Sequence, residues 1–502
     1  YFLSRPRRFG KSLLVSTLEA IFKNERELFK GLWLDSSDYE WREYPVIKLD
    51  ISAVDKNSVE ELREGLKRLL VKIAAKYEIK LENLSPSAML SDLISELAKK
   101  HGSKVAVLVD EYDDPIIKHI SNPELALQMR DLLHDFYKII KSEDANIRFV
   151  FLTGVSKFSR TSIFSGLNNL NNISMQEKYA SIVGITQEEL ERDFSPYLDL
   201  VAEKHKTTKD RILEQLRHWY NGYRFSKAEF KVYNPFSTLS LFDTMEFTNF
   251  WFATGTPSYL INLIKRDSLA LEILSGKIQM PSELLNTYDI QSLPLIPIMF
   301  DSGYLTIQDY SIRNDLTTYT LNYPNFEVKN SFNDNLLPAF TEKPTDRVSL
   351  EISSIASAIL ENDLENFFTL LKSYFAGIPY ELIPVKTLNE KYFHLVFYLL
   401  MRVPSFMVNI EDRSSSGRVD LVLENDTDIY IFEFKVDQPA RVALDQIKTK
   451  KYYEKYENIS VVPSSLKTSL DDRLGIKKIH LVGISFSSAE RNISEYLVEE
   501  YN

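Results

Sequence analysis

The feature that most narrows the fold is the run Val105-Ala106-Val107-Leu108-Val109, closed by Asp110 and Glu111. A run with no polar residue on either face reads as a strand buried from both sides, the habit of a parallel sheet covered by helices. Further strand candidates are 1–3, 45–51, 104–110 as a whole, and 148–154. Between them Leu14, Leu18, Ile21 and Phe22 recur at helical spacing, and 58–76 and 123–141 read as longer helices. The first two-fifths of the chain is therefore expected to be an α/β domain with a mainly parallel sheet.

At 502 residues the chain is long enough for two or three cores. Its 44% hydrophobic and 26% charged content fits a soluble globular protein. Apolar stretches such as 395–401 are too short to span a bilayer, so no membrane anchor is expected. With no cysteine there is no disulfide, zinc-thiolate site or thiol nucleophile, which agrees with a cytoplasmic setting. The net charge of −11 argues against a protein coated in basic surface, so any DNA or RNA site must be local. The chain opens on Tyr1 with neither a basic leader nor a cleavage site, and is expected to be a fragment lacking upstream residues.

From about 180 to 345 the texture turns helical and aromatic, with Trp219, Tyr220, Tyr223, Tyr233, Phe236, Phe250, Trp251 and Phe252. Strand-like alternation returns only at 304–307 and 319–321, so this section reads as a helical lid or connector ending in a small winged-helix-like unit. Polar residues at 342–346 suggest a boundary before a second strand-rich section at about 405–435. The expected division is a P-loop domain at 1–200, a connector at 201–345, a helical linker at 346–385 and a second α/β domain at 386–502.

The segment Arg5-Pro6-Arg7-Arg8-Phe9-Gly10-Lys11-Ser12 carries the closing half of the G-x-x-x-x-G-K-S/T pattern, with Arg5 where the first glycine is expected. Gly10 would let the backbone approach phosphate, Lys11 would contact the β and γ phosphates, and Ser12 would hold Mg2+. Arg5, Arg7 and Arg8 add cations to the same loop. Gly-Lys-Ser also occurs by chance in loops, but here a Walker B-like strand follows in the proper order. Asp110 would join the magnesium shell and Glu111 would polarise the attacking water as general base. A further strand ends in Thr153-Gly154, where Thr153 is placed to sense the γ phosphate, while Lys157 or Arg160 would offset transition-state charge. Thr-Gly also serves simply to end strands. The ligands expected are ATP and Mg2+.

Near the carboxyl end, 417–423 and 429–435 read as a hairpin joined by a polar turn at 424–428. The period of two puts Glu433 and Lys435 on one face and Phe432 and Phe434 on the other. Asp420 followed by Glu-x-Lys is the spacing that lets two carboxylates hold magnesium while a lysine stabilises a water beside a scissile phosphate. Gln446, Lys450 and Tyr453 fall at helical spacing, and Glu390 precedes an apolar helix at 392–401. A surface hairpin with a solvated Glu-x-Lys pair is the plainer reading; the ordered set Glu390, Asp420, Glu433, Lys435 and Gln446 outweighs it.

These residues resemble a known pairing in uncharacterised bacterial proteins, an AAA-ATPase-like domain followed by a C-terminal PD-(D/E)XK nuclease-superfamily domain. The resemblance rests on the 2–12 string, on Val109-Asp110-Glu111-Tyr112-Asp113, on Thr153-Gly154-Val155-Ser156-Lys157-Phe158-Ser159 and on 163–170. It extends to Trp219-Tyr220-Asn221-Gly222-Tyr223, Tyr233-Asn234-Pro235-Phe236-Ser237 and Ile431-Phe432-Glu433-Phe434-Lys435. It implies that Arg5 in place of glycine is normal for the group. It also implies a nuclease signature of Asp420, Glu433 and Lys435, with Glu390 and Gln446 as accessory positions. The function expected is an ATP-hydrolysing protein whose nucleotide state governs a metal-dependent nuclease acting on DNA or RNA. The alternatives are a regulatory ATPase whose C-terminal domain binds nucleic acid or protein without cleavage, and a binding scaffold with both sites vestigial.

Overall fold

The computed structural model describes residues 1–157, 170–251, 260–261, 263–264, 273, 278–285, 294–378, 390–401, 407–414, 417–457 and 477–501. The chain forms two compact units, 1–263 with 277–330 and 264–276 with 331–502. No helix among the described residues is long and apolar enough to cross a membrane.

The first unit opens with β1 (Phe2–Ser4), α1 (Lys11–Phe22), α2 (Trp33–Ser36), β2 (Val46–Asp50), α3 (Val59–Lys76) and α4 (Pro86–His101). It continues with β3 (Val105–Asp110), α5 (Asp114–Lys118), α6 (Pro123–Ser142) and β4 (Ile147–Gly154). The four strands form a sheet in the order β1-β4-β3-β2, with every pairing parallel. The apolar run that fixed the expectation is β3, and all 6 of its residues are buried. The covering helices follow from their stripes. Ser58 caps α3 by accepting from the Glu61 amide at 3.1 Å, and Leu62, Leu66, Leu70 and Ile73 then face inward one turn apart. Pro123 opens α6, which buries Ala126, Met129, Leu133, Phe136 and Ile140.

Beyond β4 come α7 (Gln187–Asp193), α8 (Ser195–Lys204), α9 (Lys209–Tyr220), α10 (Pro235–Thr244), β5 (Ile278–Pro281), α11 (Leu295–Asp301), β6 (Thr306–Arg313), β7 (Leu316–Asn322) and α12 (Phe326–Thr341). Helices α7 to α10 gather on Leu190, Leu198, Leu216, Tyr220, Tyr233 and Phe242, while the strands make an antiparallel sheet ordered β5-β7-β6. Strand structure in the 304–307 region begins only at Thr306. Gly222 sits at φ 105°, with the Pro324 carbonyl where a Cβ would stand, so this position admits only glycine.

The second unit contains α13 (Thr345–Leu360), α14 (Leu364–Ala376), α15 (Glu390–Met401), β8 (Met407–Ser414), β9 (Gly417–Glu424), β10 (Asp428–Val436), α16 (Ala440–Lys450), β11 (Lys478–Ser487) and β12 (Asn492–Tyr501). Its five-stranded sheet runs β12-β11-β10-β9-β8; β10 and β11 are parallel and the other neighbours antiparallel. The sheet is covered on both faces. Phe432 and Phe434 pack their rings on Phe397 of α15, at 5.2 and 4.9 Å between centroids. On the opposite face Ile429 and Ile431 pack with Leu444 and Ile447 of α16. Gly483, beside Glu433 in the β10–β11 register, permits that helix to lie close, because a Cβ there would strike the Ala440 carbonyl and the Leu444 amide.

Candidate functional site

In the first unit the carboxyl ends of β1, β3 and β4 lie side by side, Ser4 opposite Gly154 and Val109 opposite Leu152. Parallel α/β sheets hold their ligands at this edge. The 5–12 loop leaves β1 here and enters α1 through Gly10, whose φ of 85° is in the left-handed region that favours glycine. Lys11 follows, 3% exposed, donating Nζ to the Pro6 carbonyl at 3.1 Å and lying 3.5 Å from Glu111 Oε1. Ser12 is exposed in the first turn of α1. Asp110 is buried at the end of β3, its Oδ1 accepting from the Glu111 amide at 3.1 Å. The fold thus brings Lys11 and Glu111 into contact and sets Asp110 beside them in the chain.

The arginines of the loop diverge. Arg5 is buried, with Nη1 donating to the carbonyls of Ser4 and Ser174 at 2.9 and 2.6 Å and Nη2 to that of Tyr179 at 3.2 Å. Its guanidinium also lies 4.2 Å from the centroid of the Phe225 ring, and burial, opposed by Asp301, pulls its pKa down to about 9. Arg8, at φ 68°, donates Nη1 to the Phe250 carbonyl at 2.9 Å and lies over Phe236 at 3.8 Å. Arg7 is exposed. Thr153 is fully buried, and its hydroxyl donates across the sheet to the Leu3 carbonyl at 2.9 Å. Lys157 is buried 3.0 Å from Asp301 Oδ1. Arg160, the string 158–159 and all but Leu170 of 163–170 lie outside the described residues.

In the second unit the β9–β10 register pairs Phe432 with Leu421, so Glu433 and Asp420 come next to one another. Asp420 Oδ2 accepts from the Phe434 amide at 2.9 Å. Glu433 is 2% exposed; its Oε1 accepts from the Gln446 side-chain amide and lies 3.3 Å from Lys435 Nζ. Lys435 also donates to the Phe434 carbonyl at 3.0 Å. Burial, and then the charge of Asp420, push the Glu433 carboxyl up. The second oxygen, Oε2, is buried with no hydrogen-bond partner among the described residues. Asp420, Glu433, Lys435 and Gln446 are therefore one cluster. Lys450 ends α16, and Lys451 turns left-handed at φ 49°, so Tyr453 leaves the helical line and packs on Tyr501 at 4.1 Å. Glu390 opens α15, but its side chain lies outside the described residues. No cluster of three or more potential metal ligands occurs among the described residues.

Three groups escaped the sequence reading. Asp113 is fully buried and takes the amides of Val155 and Ser156. Glu327, also fully buried, accepts from the amides of Phe250 and Trp251 at 2.7 and 2.8 Å and from the Ser237 hydroxyl at 2.8 Å. His394, one turn beyond Glu390, contacts the Asp420 carbonyl through Nε2 at 2.8 Å, fastening α15 to the strand that carries Asp420. Only His394 had a readable signal, its i+4 spacing from Glu390.

The fold and its clusters define a two-part α/β protein, a parallel nucleotide-type sheet in one unit and a mixed sheet bearing paired carboxylates in the other. A family described as Predicted AAA-ATPase matches residues 1–164, and the PD-(D/E)XK nuclease superfamily matches 388–496. The chain is 35% identical over 504 residues to the uncharacterized protein in the vnfD 5′ region of Azotobacter chroococcum mcd 1, covering 99% of this chain and 92% of that protein. It belongs to the family in which an AAA-ATPase-like domain precedes a PD-(D/E)XK nuclease-superfamily domain.

Proposed function

We propose that the chain binds and hydrolyses a nucleoside triphosphate, ATP, at the 5–12 loop, and that its nucleotide state regulates a metal-dependent nuclease-type site on β9, β10 and α16. The observation that carries the reading is the contact between Lys11 and Glu111, 3.5 Å apart, which joins the two separate nucleotide motifs into one site. Gly10 lets phosphate approach the backbone, Lys11 meets the β and γ phosphates, and Ser12 with Asp110 holds Mg2+. Glu111 takes the proton of the attacking water.

In the second unit Asp420 and Glu433 are the metal-holding carboxylates, and Gln446 fixes the rotation of Glu433 by donating to Oε1. Oε2, buried with no hydrogen-bond partner among the described residues, is a hard carboxylate oxygen that suits a divalent cation. The cation, when bound, supplies Lewis-acid activation of water and phosphate. Lys435, held by Glu433 and the Phe434 carbonyl, stabilises negative charge beside the scissile phosphate of a DNA or RNA strand.

The test of the nucleotide site is phosphate release from ATP by the intact chain, beside Lys11→Ala and Glu111→Gln. Lys11→Ala is expected to lose binding, and Glu111→Gln to keep binding while turnover falls by about a hundredfold or more. Turnover that survives both substitutions contradicts the assignment.

A further inference from the structure

Asp113 occupies the N-cap position of α5 but makes no side-chain cap to it. Its carboxylate crosses instead to the end of β4, where Oδ2 accepts from the Ser156 amide at 2.6 Å and from the Val155 amide at 3.2 Å. The contact is doubled by Tyr112, whose backbone amide donates to the Thr153 carbonyl at 3.1 Å and whose hydroxyl donates to the Ser156 carbonyl at 2.9 Å. Gly154 closes the fit, since a Cβ there would strike Asp113 Oδ1 and the Tyr112 ring.

The residue this clamp adjoins is Glu111, at φ 51° in the left-handed region that residues with a side chain adopt uncommonly. In that conformation its carboxylate comes to Lys11. Asp113 is fully buried, and burial, then the charge of Glu111, push its carboxyl up to about 7. A carboxylate placed against that penalty, and bound to two amides just beyond the end of β4, marks a position whose geometry matters.

We infer that Asp113 is a positioning residue for nucleotide hydrolysis: by tying 111–113 to the end of β4 it holds Glu111 in the conformation that aims its carboxylate at the Lys11 site. The inference rests on the reading of Glu111 as general base. The Val155 amide also lies 3.3 Å from Oδ1, so asparagine at 113, with its oxygen kept at the Oδ2 position for Ser156, keeps the shape but turns an N–H donor toward the Val155 amide.

The experiment measures nucleotide affinity and single-site turnover separately in the intact chain, with turnover normalised to nucleotide-binding sites. Asp113→Asn should lower kcat about tenfold or more while nucleotide Kd stays within about threefold of wild type. Tyr112→Phe, which removes the hydroxyl that donates to the Ser156 carbonyl, should show the same split at a few-fold loss, and decides the matter if Asp113→Asn does not fold. Wild-type kcat per site in Asp113→Asn, or in Tyr112→Phe where that is the surviving variant, overturns the inference, as does a parallel loss of affinity and turnover. Glu111→Gln separates the two readings. If it is inactive while Asp113→Asn turns over normally, the clamp alone is wrong; if Glu111→Gln turns over normally, the general-base reading falls and the clamp with it.

Discussion

The side-chain amide of Gln446 on α16 donates to Glu433 Oε1 on β10, leaving Glu433 Oε2 buried without a hydrogen-bond partner among the described residues. Gln446 therefore sets the rotation of the carboxylate. Gln446→Leu removes that donor and is expected to weaken Mg2+ or Mn2+ binding to the intact chain about 10–100-fold, the usual effect of losing an outer partner of a metal ligand. Calorimetric titration checks this, with Glu433→Ala as the control that loses binding; unchanged affinity in Gln446→Leu contradicts the orienting role.

Arg5 gives a contrasting expectation, because its guanidinium is committed to the carbonyls of Ser4, Ser174 and Tyr179. A lysine cannot reproduce that fork. Arg5→Lys should cost about 2–4 kcal/mol of stability in chemical denaturation, from unsatisfied buried carbonyls. Nucleotide affinity of the folded protein should be unchanged. A variant of normal stability with weakened nucleotide binding would instead place Arg5 at the phosphate.

Glu327 makes a pH prediction. Burial raises its carboxyl from the ordinary 4.5 to about 7, the amides of Trp251 and Phe250, the Ser237 hydroxyl and Arg8 opposing the shift. The folded chain therefore holds this proton where the unfolded chain has released it, and stability falls as pH rises from 4.5 to about 7. Glutamine retains an oxygen for the two backbone amides and offers its N–H to the Ser237 hydroxyl. Glu327→Gln should thus gain on the wild type across that window, by about 3 kcal/mol at its upper end. Denaturation curves at several pH values check it; a difference that does not change with pH contradicts the burial of an ionising group.

The sheet, its helices α1, α3 and α6 and the carboxylate hairpin were legible because each is written in a local period, whereas α4 was not read. The run 105–109 permits little but a two-sided buried strand, and the alternation at 429–435 separates Phe432 and Phe434 from Glu433 and Lys435. What was not legible depends on partners far along the chain. Nothing near Arg5 says that carbonyls at 174 and 179 will enclose it, and nothing near Asp113 says that it will reach across to 155 and 156. The motif spacing likewise carried Tyr453 onto the face of Gln446, because it did not register that the helix stops at Lys450.

The central claim is that paired carboxylates in the second unit cut nucleic acid under nucleotide control, and cleavage by the intact purified chain tests it most directly. Single- and double-stranded DNA and RNA would be incubated with Mg2+ or Mn2+, with and without ATP, beside Glu433→Ala and Lys435→Ala. The account predicts metal-dependent cleavage that changes with ATP and falls by about a hundredfold or more in both variants. Cleavage that survives both substitutions, or ATP turnover with no cleavage of any of these substrates, would contradict it.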